Sequence, residues 1–505
     1  PNPGLRAYFK RTELGNPDDY RPPFWKGKSR EEVLAMWQKV FDTLGVKEKY
    51  PTLYDFEMEM KSKVGPMSIQ LPLKDRYDSI ESYFTERPSE PLRQEAIDAT
   101  VKFFSKAGGI RLRAPQNVVA NMRLSTNSGA PEFTKRKRVV DKELEGTIAY
   151  PHITIGGKRY ELCAVLGWRG QEGGIHEDDV KQRVIWMMPL LLNIKELQFY
   201  QPAIEAIQKN DLIPAYISMD RVDEEVTKLF DSKGADDVVV CTDFSKFDQH
   251  FNADMQNAAK EILYRLGSNV GDWIENIFPI KFKLPLVCSE DVIFEGVHGM
   301  GSGSGGTNFD ECMAHKALQF EAALDQGQQL NPHSMAYGDD GILTYPGINV
   351  EDVIRTYTRH GQEMNPDKQY VSKHDCVVLR RWHSTSYREA GIMVGVYSTF
   401  RALGRLLAQE RFYDPEKWGP EQVTLRAWSI IENLNHSPYF EEFVQFVIKG
   451  DKFRLGLDIP GFLENVSKIA QKSIDQLPDF LGYTKNLQDT PGNQVKGIKE
   501  WRIYK

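Results

Sequence analysis

The stretch "SMAYGDDGILTY", residues 334–345, carries two short apolar runs on either side of Asp339, Asp340 and Gly341. Glycine readily takes the positive φ that a tight turn needs, so Asp-Gly between β-type runs predicts a hairpin. A Gly-Asp-Asp tip is equally compatible with two solvated acids and with two metal ligands. The triplet alone does not separate these readings, and the rest of the chain has to.

A chain of 505 residues is too long for one compact core, so several subdomains are expected. Hydrophobic residues make up 41% and aromatics 11%, a folded rather than a disordered composition. The longest apolar run, "VIWMMPLLLNI" at 184–194, is too short to span a bilayer and contains Pro189, so no membrane segment is expected. The first residues lack the apolar core of a signal peptide. Five widely spaced cysteines with no CxxC suit a reducing compartment and offer no zinc framework. The net charge of −7 argues weakly against a nucleic-acid partner. Its distribution argues otherwise: residues 101–140 hold nine Lys and Arg, among them Lys135, Arg136, Lys137 and Arg138, against the single acid Glu132. A local basic stripe attracts phosphate whatever the total charge, although a solvated face would read the same way.

Helical and strand patterns alternate along the chain. Ser29 with Glu32 forms a capping box, followed by Val33, Leu34, Trp37, Val40, Phe41 and Leu44 on one helical face. Residues 236–242, "DDVVVCT", read as a buried strand, and 284–298 as strand and turn. "GMGSGSGGTN" at 299–308 opens onto a helix with Met313, Ala317, Phe320 and Leu324 at core spacing. "CVVLRRW" at 376–382 reads as one strand, and from about 400 the pattern becomes helical.

The strand at 236–242 runs into Asp243, and "DFSKFD" brings Asp248 five residues later. An acid at the mouth of a buried strand is costly unless paired, metal-bound or solvated by a cleft. If this strand neighbours the 334–345 hairpin, Asp243 and Asp339 face each other, and like charges that close call for a cation between them. Mg²⁺ takes oxygen ligands from one or two carboxylates plus substrate phosphates. Two such ions about 3.5–4 Å apart clamp both oxygens of an in-line phosphoryl displacement.

The order of parts sharpens this: strand-DxxxxD, then "SGSGGTN" opening a helix, then the Gly-Asp-Asp hairpin, then "MNPDK" at 364–368, then "VLRR" at 378–381. That order resembles motifs A to E of the palm of viral RNA-dependent RNA polymerases. "HEDDVKQRVIWMMP" at 176–189 is similar to motif F of the fingers, and "STNSGAP" at 125–131 to motif G. The match spans roughly 120–385, and the wording is most similar to the picobirnavirus polymerases.

The resemblance implies an α+β, closed right-hand polymerase of fingers, palm with an antiparallel sheet, and helical thumb. It implies Asp243 and Asp339 as direct ligands of two Mg²⁺ ions, with Mn²⁺ a substitute. Asp340 would be a weaker ligand and the carbonyl of Phe244 would complete one shell. Lys181 and Arg183, with Arg169 as a further candidate, would grip the triphosphate, where an Arg fork suits phosphate oxygens. Ser302 and Gly303 would lie under the template base, and Thr307 would reach towards the ribose. Asp248 would contact the ribose hydroxyls. Many such enzymes place Asn four residues after the motif-B Thr; this chain has Glu311 there, so either Glu311 turns away or Asn308 takes the role, and Asn308 is the favoured reading. Lys368 would protonate the departing pyrophosphate as general acid. Arg380 and Arg381 would contact RNA or form ion pairs, and Ser125, Thr126 and Gly129 would join the basic stripe in guiding template.

The expected division is an arm at 1–28 bridging fingers and thumb, fingers at 29–195, palm at 196–252 and 299–383, a fingers insertion at 253–298, and thumb and tail at 384–505. Single- and double-stranded viral RNA, rNTPs and a capsid protein are the implied partners, and the interior of a viral particle in the host cytoplasm the implied location. A reverse transcriptase, a two-metal nuclease or phosphatase, and an RNA-binding structural protein with an inactive palm are the competing classes.

Overall fold

The computed structural model describes residues 3–141, 153–155, 157–473 and 498–505. The chain is α+β, and the acids Asp243, Asp339 and Asp340 stand on or beside a small antiparallel sheet. Val239–Thr242 is β-branched or small throughout and buried at all four positions. It pairs with Tyr370–Ser372 on one side and with Asp340–Leu343 on the other, and Met335–Tyr337 closes that edge. The expected neighbourhood of the two Asp-bearing strands is therefore present.

The helix Thr307–Asp325 lies against this sheet and is buried around almost its whole circumference. Its apolar positions join the largest core cluster, as their spacing predicts. A polar line at i, i+4, i+7 and i+11 faces the hairpin. Along it, Cys312 Sγ accepts from the Gly338 amide (3.4 Å), His315 Nδ1 pairs with the Gly338 carbonyl (2.8 Å), and Gln319 Nε2 donates to the Met335 carbonyl (2.8 Å). The helix thus supplies the hydrogen bonds that a buried hairpin cannot take from water.

The fingers carry a second sheet. Ala164–Gln171 and Lys181–Met187 pair antiparallel over seven residues, and Leu286–Val287 and Ile293–Phe294 extend the ribbon. The segment read as strand and turn at 284–298 thereby reaches back to the ribbon.

Two expectations are corrected. "CVVLRRW" is not one strand but two, Asp375–Val378 and Arg381–Ser384, joined by a turn in which Leu379 (φ 51°) and Arg380 (φ 61°) are both left-handed. Neither residue type favours that region, so nothing local announces the turn. The helices Arg30–Phe41 and Pro51–Ser62, expected to open the fingers, share one core with the helices Thr399–Leu406, Pro420–Glu432, Phe440–Gly450 and Phe462–Ser473. Trp37 shows this: its ring lies 5.2 Å from Phe443, and its Nε1 donates to Thr399 Oγ1 at 2.9 Å. The capping box of Ser29 and Glu32 is present, so the helix is where the sequence puts it. Helical periodicity predicts an apolar face but not its partner.

Helix Pro3–Leu14 sits on the fingers, with Leu5 and Phe9 against Val165 and Val287, and the Tyr8 hydroxyl donates to the Leu166 carbonyl (2.6 Å). The chain then runs past Gln70 to the thumb helices, where the Trp25 amide donates to the Gly450 carbonyl (2.8 Å). Of the tail expected at the C-terminal end of the thumb, residues 474–497 lie outside the described residues. Ile498 and Trp501 pack on the thumb core. Among the described residues no helix is long and apolar enough to cross a membrane.

Candidate active site

The hairpin places its acids through register. Tyr337 pairs with Asp340, which leaves Gly338 and Asp339 as a two-residue loop. Gly338 has φ 60°, so the positive φ expected at Gly341 of the Asp-Gly step is taken three residues earlier, in the pattern of turns with glycine at the first central position. Gly341 is inside the strand, where a Cβ would stand 2.6 Å from the buried ring of His315. Thr242 pairs with Gly341, so Asp243, the next residue, emerges beside Asp339 and Asp340.

All three carboxyls are short of positive charge. Burial raises Asp243, with Lys368, Lys63 and Lys181 opposing. Asp339 opens to the cavity but is closely ringed by protein; this enclosure, with Asp248 adding to it, lifts its carboxyl to about 6 against Arg183 and Arg380. Asp340 is raised to about 7 by burial and by Asp339. The donor set is oxygen only and over-rich in negative charge, which fits hard divalent cations. One Asp340 oxygen accepts from the Leu379 amide at 2.7 Å, which leaves the other for a supporting role. The Phe244 ring stacks on Tyr357 (5.5 Å, 5°), fixing the backbone that follows Asp243.

The fingers ribbon brings the cations. Lys181 and Arg183 alternate on one exposed face, and Arg169 is the direct cross-strand partner of Arg183. Like charges opposite each other repel unless an anion sits between them, so this face favours an anion. Arg169 also pairs with Glu410 of the thumb at 3.1 Å.

The motif-B loop lies against the same ribbon. The Ser302 hydroxyl donates to the Val184 carbonyl (3.2 Å), and a Cβ on Gly303 would stand 1.6 Å from the Trp186 carbonyl oxygen. The close approach that glycine permits here is to protein backbone. The Thr307 hydroxyl closes its own loop on the Gly301 carbonyl (2.9 Å). Asn308 Oδ1 accepts from the Tyr216 hydroxyl (2.8 Å) and from Cys312 (3.2 Å). Glu311 is buried, and burial first, then the neighbouring half-buried Asp248, raises its carboxyl well above the ordinary value.

Lys368 is exposed close enough to Asp243 to act on its charge. Arg380, exposed at the turn tip, acts on Asp339 and Asp340. Arg381, expected to contact RNA or form an ion pair, is 5% exposed, and its Nη2 donates to Asn433 Oδ1 at 3.0 Å, which ties palm to thumb. Lys135, Lys137 and Arg138 are exposed, as is Thr126, and Ser125 is half-buried. Arg136 is half-buried and donates to the Arg123 carbonyl (3.0 Å), and Gly129 is buried against the Met188 carbonyl.

Several residues of the site escape sequence reasoning. Gln369 grips Asp243 at both backbone ends, accepting from its amide at 2.7 Å and donating to its carbonyl at 2.8 Å. His315 holds the hairpin tip, and burial pushes it down to about 4, so it stays neutral. Its place one helical turn after Glu311 is the one signal that could have found it. A further group, Asp220, Asp223 and His436, brings ligand atoms within 4.8 Å of one another at the palm–thumb junction, apart from the catalytic acids.

A family model for the viral RNA-dependent RNA polymerases matches residues 173–433. A potential RNA-dependent RNA polymerase of human picobirnavirus (strain Human/Thailand/Hy005102/-) is 53% identical over 514 residues, covering 100% of this chain and 96% of the relative. The crystal structure of the RNA-dependent RNA polymerase of a human picobirnavirus superposes with a TM-score of 0.92 at 51% identity, covering 100% of this chain and 96% of that one. Its insertion-loop deletion mutant gives 0.89 at 51% identity, over 95% and 96%. By these matches the chain belongs to the viral RNA-dependent RNA polymerases, and it is similar to the picobirnavirus enzymes over its whole length.

Proposed function

We propose that this chain copies the RNA of a double-stranded RNA virus, serving replication and transcription by a two-metal mechanism. The observation that carries the reading is the meeting of Asp243, Asp339 and Asp340 at one end of the palm sheet with the cationic face of Lys181, Arg183 and Arg169 on the fingers. Polymerases of this family use divalent metal ions. Asp243 and Asp339 would hold two, with Asp340 and the Phe244 carbonyl in support; Mg²⁺ is the expected ion and Mn²⁺ a substitute. When bound, such ions favour ionisation of the attacking hydroxyl and offset charge on the leaving group.

The chain's own residues do the rest. Lys181 and Arg183 orient the triphosphate of an incoming rNTP, so that the RNA 3′-oxygen meets the α-phosphorus in line. As that bond forms, the bond to the bridging oxygen breaks, and Lys368 gives its proton to the departing pyrophosphate. Gln369, beside Lys368 in sequence, keeps Asp243 in register with it. Arg380 steadies the first nucleotides over the acids. Lys135, Lys137 and Arg138 guide template. The division into fingers, palm and thumb follows the polymerase plan, except that residues 29–64 go with the thumb core. A capsid protein and the interior of a viral particle in the host cytoplasm complete the reading.

The test is pyrophosphate release on adding RNA template, Mg²⁺ and rNTPs. Wild type should release it in step with RNA synthesis, and Asp339→Asn should abolish both. Retained synthesis in that variant, or phosphate release without rNTP incorporation, would overturn the assignment.

A further inference from the structure

A cavity of about 220 Å³ lies along the outer strand of the palm sheet, Met335–Tyr337. Its apolar wall comes from Phe103 and Phe104 at the end of helix Gln94–Phe103, from Ile213 and Ala215, and from Met335 and Ala336 of the strand itself. A dry apolar cavity of about 150 Å³ holds benzene, so this one has room for a larger ring system.

One charge is set into that wall. Lys316 of the motif-B helix is 3% exposed. Its Nζ donates to the Ser334 carbonyl at 2.6 Å and stands 4.5 Å from the centre of the Phe103 ring, and Ser334 and Phe103 both line the cavity. Its remaining polar contact is Gln319 Oε1 at 3.5 Å, and among the described residues it forms no ion pair. Burial pulls its ammonium down to about 7, with Glu225 opposing. A buried cation that no carboxylate meets is costly, and an anion placed in the cavity offsets that cost.

The acids that line the cavity are already engaged. Asp211 and Glu225 pair with Arg221 at 2.8 and 2.6 Å, and Glu225 also pairs with His333 at 2.6 Å. Asp340, at the hairpin end, takes the Leu379 amide at 2.7 Å. Lys228 lines the cavity from an exposed position and forms no ion pair among the described residues, so it adds to the attraction for an anion. A nucleic-acid strand carries a bulky sugar beside every phosphate, which a cavity of this size does not admit. A single acid group on a flat ring fits both the charge and the aromatic wall.

We propose that this cavity binds a small organic monoanion with a flat apolar body, an aromatic carboxylate in kind, with its acid group on Lys316 and its ring against Phe103. The site is separate from the cationic face of Lys181 and Arg183, and the proposal does not depend on the polymerase reading. The wall from Ser334 to Tyr337 runs straight into the turn that carries Asp339, so a bound ligand braces the hairpin tip.

The probes are 6-bromo-2-naphthoate and its uncharged amide, titrated by calorimetry into the whole chain without RNA, nucleotide or metal. The acid should bind wild type with a Kd of about 1 mM or tighter. The amide should bind at least about tenfold more weakly, because it lacks the charge-assisted hydrogen bond. Lys316→Met should erase the difference between the two probes, and Phe103→Leu should weaken both. In crystals soaked with the acid, anomalous scattering from bromine should place the ring between Phe103 and Met335. Equal binding of acid and amide by wild type, a difference kept by Lys316→Met, or a bromine peak elsewhere would each overturn the proposal. So would a probe bound at crystal concentration only, with no saturable binding in solution. If Lys316→Met does not fold, the comparison of acid with amide and the bromine position decide it.

Discussion

Asp339 and Asp340 stand where the fold gathers more negative charge than it offsets. Their ordinary value is 3.8; burial, joined by Asp248 at Asp339 and by Asp339 and Asp243 at Asp340, raises them to about 6 and about 7, with Arg183 opposing at the first and Arg380 at both. The folded chain therefore keeps protons that the unfolded chain has lost between about pH 4 and pH 7, and stability falls as pH rises through that window. A divalent cation bound by these acids removes that penalty only where they are ionised. Adding Mg²⁺ should raise the thermal midpoint by a few degrees at about pH 8 and by clearly less at about pH 5. Equal shifts at both pH values, by calorimetry, would mean that these carboxyls are not the ligands. The acids themselves were legible in sequence, because an acid closing a buried strand is costly and demands a reason. Gln369 and the Leu379 amide were not. They act on backbone atoms or through them, and no residue-type pattern records such a contact.

The motif-B loop shows what holds an element in place. Ser304, inside the glycine cluster, donates to Glu196 at 2.8 Å and accepts from Lys281 at 3.3 Å. Lys281 is wholly buried, 2.5 Å from Asp310 and 3.2 Å from the Tyr200 hydroxyl. Burial raises Glu196 to about 7 against the pull of Lys281. One cation from the expected fingers insertion thus ties the helix Leu190–Lys209, the loop and the motif-B helix together. Removing it strands a buried carboxylate, so Lys281→Met should cost about 3–5 kcal/mol in chemical denaturation. Adding Asp310→Leu to it should recover most of that loss, since replacing a whole buried pair by apolar groups is often neutral. A small loss in the single variant would show that the cluster carries little. The sequence read "GSGSGG" as a loop opening a helix, and the structure agrees. The anchor was invisible, because Lys281 and Asp310 are 29 positions apart and each alone resembles a surface charge.

At the scale of the molecule, the −7 net charge and RNA binding coexist because charge is sorted by face. The acids of the palm look across at the cations of the fingers ribbon, and a second basic group, Lys135, Lys137 and Arg138, stands exposed. If these three contact single-stranded phosphates, replacing all three by Ala should lower the slope of log K against log salt by about 2. An unchanged slope in titrations of a labelled single strand would remove them from the RNA path. Closure of the hand has its own ties. Arg401 of the thumb pairs with Glu172 of the ribbon at 3.3 Å, Glu410 pairs with Arg169, and the N-terminal segment runs from fingers to thumb.

The sequence by itself determined the α+β class, the order of the motifs, the hairpin, and the four acids Asp243, Asp248, Asp339 and Asp340. Those follow from periodicity, turn chemistry and the cost of burying charge, all of which act over a few residues. Only the tertiary structure decided that the turn sits at Gly338, that residues 376–382 fold back on themselves, and that Trp37 packs on the thumb. It also decided that Glu311 is buried where Asp248 acts on it, while Asn308 bonds Tyr216 and Cys312. Each depends on which surfaces distant segments bring together, and short-range pattern carries no record of that choice.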